Sequence, residues 1–133
     1  MWLLKTEPTS YSYADLEKEG RTVWDGVKNP AALRNLREMK TGDRVVVYHT
    51  GDEKAAVGLA EVTKEFYRDP KGRYPALVVV DLKAVGRLAR PVTLAEMKAH
   101  PAFKDSPIVR QGRLSVVPLT AAQWKVIEGG GKA

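Results

Sequence analysis

Apolar runs in this chain are short and end early. Eleven glycines and eight prolines are spread through 133 residues, and the longest aliphatic stretch, Ala76 to Val80, stops at Asp81. No segment is long enough for a membrane-spanning helix, so the chain is left with short strands and short capped helices joined by tight turns.

Reading along the chain places these elements. Trp2, Leu3 and Leu4 open a strand over residues 2–6 that Pro8 must end. Ser12 with Asp15 three positions later is a capping box, and the helix it starts closes at Gly20. Residues 22–29, TVWDGVKN, form a tight polar bend that holds Trp24. Asn29 before Pro30 starts a helix over 30–39, with Leu33, Leu36 and Met39 on one face, which stops at Thr41-Gly42-Asp43. Strands follow at 45–48 and 57–67, paired antiparallel, and at 76–88, with Leu77, Val79 and Val85 inward and Asp81 and Lys83 outward. Thr93 with Glu96 caps a helix over 94–99, Arg113 to Val117 is a last strand, and Thr120 with Gln123 caps a helix carrying Trp124 and Ile127. Gly129 to Gly131 reads as a frayed tail. Five strands among four short helices, without βαβ alternation, predict a single-domain α+β fold: a small, partly open barrel with helices at its ends.

The chemistry available is limited. There is no cysteine, which removes disulfides and thiolate chemistry, and the two histidines, His49 and His100, stand far apart without a metal-binding pattern. No metal and no cofactor is expected, because neither a phosphate loop nor a nucleophile elbow appears. With 44% apolar and 29% charged residues the composition is that of a globular protein, and a net charge of +6 favours polyanionic partners. The opening MWLLKTEP lacks the apolar run of a signal peptide, so the chain reads as cytoplasmic and not membrane-bound.

What remains is a set of polar and aromatic residues at element ends: Lys5, Ser12, Trp24, Asn29, Tyr48 and His49. An aromatic face with amide, hydroxyl and imidazole groups around it suits a nucleobase, which can stack and be read along its edge. Each residue also has a plainer role. Trp24 can be core, His49 a satisfied structural histidine, Asn29 and Ser12 helix caps, and Lys5, Lys28, Arg110 and Arg113 either solvated charges or phosphate contacts.

The stretches WLLKTEPTSYS, RTVWDGVKNPAALRNLREMKTGDRVVVYHT, VGLAEVTKEFYRDP and IVRQGRLSVVPLTAAQWKVI, in that order and spacing, resemble the EVE domain family of the PUA-like superfamily. The resemblance implies a PUA-like pseudo-barrel of five or six mostly antiparallel strands with short capping helices. It also implies a non-catalytic reader of DNA or RNA that accepts a methylated or hydroxymethylated base in a pocket. Its pocket positions here are Lys5, Ser12, Trp24, Val27, Asn29 and His49, with Tyr48, Glu65, Arg110 and Arg113 nearby. In that scheme Trp24 stacks on the base, Asn29, Ser12 and His49 bond its edge, and Lys5, Lys28, Arg110 and Arg113 meet phosphates. Replacing Trp24 with Ala is then expected to abolish base binding and move the melting temperature by only a few degrees. Two departures stand out: Lys28 replaces the family's usual Arg, losing the planar fork, and a short PKGRYP link replaces a longer loop. Two other functions remain open, an enzyme acting on a modified nucleoside with His49 as acid or base near Tyr48 and Glu65, and a protein adaptor that has lost the pocket.

Overall fold

The computed structural model describes residues 1–129. The β-branched and aromatic runs become strands β1 (Trp2–Thr6), β2 (Arg21–Trp24), β3 (Arg44–His49), β4 (Ala55–Arg68), β5 (Val78–Thr93) and β6 (Val116–Pro118). They form one sheet in the order β2-β5-β4-β3-β1-β6, antiparallel throughout except for β1 beside β3. The helices are α1 (Tyr13–Glu19), α2 (Pro30–Glu38), α3 (Leu94–Ala99), α4 (Pro107–Arg110) and α5 (Ala121–Glu128). Ser12, Thr93 and Thr120 each close the expected capping box. Of the glycine tail, Gly130 and Gly131 lie outside the described residues.

Burial explains why the middle strands lack polar alternation. Val45 to His49 on β3 and Trp2 to Leu4 on β1 are buried at successive positions, so both faces of the sheet centre are covered. α2 contributes Ala32, Leu33 and Leu36 to this core, and it is tied to β6 by Asn35 Nδ2, which donates to the Val116 carbonyl at 2.7 Å. α1 is pinned through the fully buried Tyr13. Its hydroxyl donates to the Leu59 carbonyl at 2.7 Å and accepts from the Gly86 N–H at 3.0 Å. A Cβ on Gly58 would lie 2.4 Å from this phenol ring, so β4 needs glycine there for the ring to cross it.

The two long strands, 14 and 16 residues, curl because their ladder slips at four places. One slip corrects a sequence expectation. Leu59 pairs with Gly86 and Ala60 with Ala84, which leaves Val85 as the extra, unpaired residue, and it points outward at 60% exposure rather than inward. A second correction concerns residues 113–117: the Leu114 N–H donates to the Gln111 carbonyl, a turn that carries Arg113, so β6 begins only at Val116. A third is that residues 21–24 form a strand. Trp24 therefore ends β2, opposite Val80 of β5, and the bend comes after it.

Candidate functional site

The sheet does not close on itself. β2 and β6 are its two edges, and a cleft of about 570 Å³ lies where β2 and its continuation share a wall with the end of β1 and Ser115. Its walls are the end of β1 (Lys5, Thr6) with Glu7 after it, Tyr11 before α1, the β2 segment running on to Lys28, and Ser115 just before β6. The volume falls within the range of about 300–1,000 Å³ usual for small-ligand sites.

Trp24 is placed by pairing and by a neighbouring ring. Its indole is only 6% exposed, and Tyr11 meets it edge-on, centroids 6.1 Å apart and planes at 85°. Within the described residues its Nε1 has no hydrogen-bond partner, although the whole residue borders the cleft. Gly26, at φ +79, turns the chain after Asp25 with a left-handed conformation that costs glycine nothing. Burial of this kind points to a larger melting shift than the few degrees expected above for Trp24→Ala, because an indole so covered supports the fold as well as the cleft.

Polar side chains share the cleft wall with Trp24. The Tyr11 hydroxyl donates to the Glu19 carboxylate, and burial first, then that bond, pushes the phenol up to about 12, so it stays protonated. Glu7 accepts from the hydroxyls of Thr9, at 3.3 Å, and Thr50, at 3.2 Å. Asp25, also on the cleft wall, is exposed and has no hydrogen-bond or ion-pair partner among the described residues. Lys5 Nζ donates to the Gly112 carbonyl at 2.9 Å and lies 5.8 Å from the Tyr48 ring centroid, and its partial burial lowers its pKa. That bond holds the Gln111–Leu114 turn, and with it Arg113, against the end of β1.

Of the residues singled out from sequence, Lys5, Trp24, Val27 and Lys28 meet in the cleft. Ser12, Asn29, Tyr48 and His49 are not on its wall. The Ser12 hydroxyl accepts from the Asp15 N–H, and Asn29 Oδ1 accepts from the N–H groups of Ala31 and Ala32, so both are helix caps. Tyr48 is 3% exposed. His49 Nε2 accepts the Tyr13 N–H at 2.9 Å, which leaves the proton on Nδ1, facing Glu53 Oε1 at 2.8 Å. Arg110 pairs with Asp105 at 2.9 Å, and Arg113 is exposed on its turn. Glu65 accepts from the Thr41 N–H near the far end of β4, whereas His49 pairs with Ala55 at that strand's start, so the two do not form an acid–base pair.

Sequence reasoning missed Tyr11, Glu19, Thr22, Asp25 and Ser115. Only Asp25 carried a local signal, and Asp-Gly was read as a turn former. Among the described residues no cluster of His, Cys, Asp and Glu fits a metal ion, and no helix is long and apolar enough to cross a membrane.

The chain matches the family model of the EVE domain over residues 1–129. Human thymocyte nuclear protein 1 is 31% identical over 160 residues, covering 95% of this chain and 71% of the relative. The human THYN1 protein in complex with DNA containing 5-methylcytosine superposes with a TM-score of 0.88 at 29% identity, covering 99% of this chain and 97% of that one. A protein of Rhodopseudomonas palustris superposes with a TM-score of 0.90 at 39% identity, covering 98% and 91%. An ASCH protein of Zymomonas mobilis, 11% identical with a TM-score of 0.58 over 93% of this chain and 90% of that one, shares the fold alone.

Proposed function

The chain belongs to the EVE domain family, and on that footing we propose that it is a non-catalytic nucleic-acid binding module that takes a modified base into the cleft beside Trp24. The observation that carries the reading is the cleft itself: it is of ligand size, and Trp24 lines it together with hydrogen-bonding side chains. An aromatic face is worth about 1–3 kcal/mol to a stacked base. The human relative crystallised with 5-methylcytosine DNA makes cytosine the first base to test.

Charge supports the same choice. The cleft wall carries three carboxylates, Glu7, Glu19 and Asp25, against Lys5 and Lys28. Glu7 and Glu19 are already engaged, which leaves Asp25 to accept from an exocyclic amino group, the pairing by which carboxylates read cytosine N4. A phosphate does not belong there. Lys5 and Arg113, on the rim, serve the flanking backbone, and Ser12, Asn29 and His49 act on the pocket through the elements they cap or pin.

Paired oligonucleotides differing only in cytosine, 5-methylcytosine or 5-hydroxymethylcytosine, together with an adenine and N6-methyladenine pair, test this at two salt concentrations. The modified partner binds more tightly at both, and Trp24→Leu, which keeps an apolar plug but no ring, weakens it roughly five- to a hundredfold. Equal binding across the panel refutes the reading. The oligonucleotides are recovered chemically unchanged; product formation would favour the enzyme alternative. RNA as a partner and a cytoplasmic location belong to the same proposal, and the same panel made as RNA tests the first of them.

A further inference from the structure

A second cleft, of about 590 Å³, lies on the other side of the Gly26–Lys28 segment, which forms a wall of both. We propose that it holds the nucleotide next to the one in the Trp24 cleft, with its base on Tyr74 and its phosphate among Lys28, Lys71 and Arg73. This rests on the base-binding reading above.

The lining has the opposite charge balance to the first cleft. Lys28, Lys71 and Arg73 face a single carboxylate, Asp69, and none of the three cations has an ion-pair partner among the described residues. The Asp69 charge is partly engaged already, because Oδ1 accepts the Lys71 N–H at 2.9 Å. Polyanionic backbone is therefore drawn to this side of the shared wall and kept out of the other, while a neutral base is admitted to the carboxylate-rich side.

Tyr74 supplies the stacking face. It is 65% exposed, in contrast to the buried Tyr13 and Tyr48. The loop that carries it is held in place. The Asp69 N–H donates to the Leu77 carbonyl, the Gly72 N–H to Asp69 and the Leu77 N–H to Tyr74, all at 3.0–3.1 Å. Arg37 of α2 fastens its far end, donating to the Ala76 carbonyl at 2.7 Å. A Cβ on Gly72 would lie 3.1 Å from Leu77 Cβ, so the loop is pressed onto its own floor. The backbone that carries the ring is thus in place before a base arrives. The occupant is a single-stranded segment, because two neighbouring bases parted by the Gly26–Lys28 wall cannot remain stacked on each other or in a duplex.

The experiment uses the full chain with Tyr74→Ala and with the double variant Lys71→Gln/Arg73→Gln, all exposed positions, each checked for an unchanged melting temperature. Three ligands are titrated: free 5-methyl-2′-deoxycytidine, a short single strand with that base inside it, and the same strand with plain cytosine. Tyr74→Ala should weaken both strands roughly five- to a hundredfold and leave the nucleoside unaffected. The double variant should reduce the salt slope for the strands by about 0.7 per cation removed. Strand affinities equal to the parent's in both variants overturn the second site while leaving the base reading intact. Loss of nucleoside binding in the variants overturns it too, since the effect would then act on the first cleft. Strand loss in the variants when the parent ignores methylation supports the second site and refutes the base reading. A parent that binds no strand at low salt overturns both.

Discussion

Trp24→Ala separates the two tasks of the indole. The side chain is 6% exposed, ends an edge strand opposite the fully buried Val80, and meets Tyr11 edge-on. Residues directly opposite in an antiparallel pair share a face, so truncation uncovers Val80 as well as removing the ring. Large aromatic truncations in cores cost about 3–5 kcal/mol. The residue lines an open cleft, from which water can enter the space left behind, so the lower end, about 3 kcal/mol, applies. For a chain of 133 residues each kcal/mol moves the melting temperature by about 3–5 °C, which gives a fall of roughly 10–15 °C. Thermal unfolding by circular dichroism, with a urea series to check that the m-value is unchanged, reads the effect. A fall of less than about 3 °C would mean that the indole is not part of the fold's support, and the packing reasoning would be wrong. A base-binding assay on this variant alone would be confounded, which is why Trp24→Leu serves for binding.

Two further outcomes follow from local geometry. Gly58→Ala drives a methyl to 2.4 Å from a Tyr13 ring held at both ends of its hydroxyl, and it should lower stability by about 3 kcal/mol or more, whereas Gly86→Ala, which meets nothing within 4 Å, should be close to neutral; urea midpoints compare them. The Arg90 guanidinium, then the Thr93 cap, hold Glu96 at about 2 against an ordinary 4.5. Because that value is lower when folded, the stabilisation is present above pH 4.5 and is lost as the pH falls towards 2. Glu96→Gln should flatten the acid limb of the stability curve over that window, and an unchanged limb would show that the ion pair contributes nothing to it.

Local chemistry was legible wherever one or two neighbouring residues decide the outcome. The Ser12, Thr93 and Thr120 caps, the Asn29-Pro30 start and the β-branched strands all depend on contacts within a few positions or on plain hydrophobicity. β2 was missed because four residues, RTVW, hold little periodicity, and its one strand partner among the described residues, β5, lies more than fifty positions later. The outward turn of Val85 depends on a ladder slip against β4, which no property of Val85 announces.

The candidate site divides in the same way. The sequence alone pointed to Trp24, with Lys5 and Lys28 near it, because an aromatic in a basic, polar context is unusual enough to notice. It also offered Ser12, Asn29 and His49, which the folded chain engages with backbone N–H groups and, for His49, with Glu53 as well. Only tertiary structure could bring Tyr11, Asp25 and Ser115 to one wall, because they come from the approach to α1, the end of β2 and the turn before β6. Where a sheet fails to close is set by the stagger and curl of all its strands together, and no single stretch of sequence encodes it.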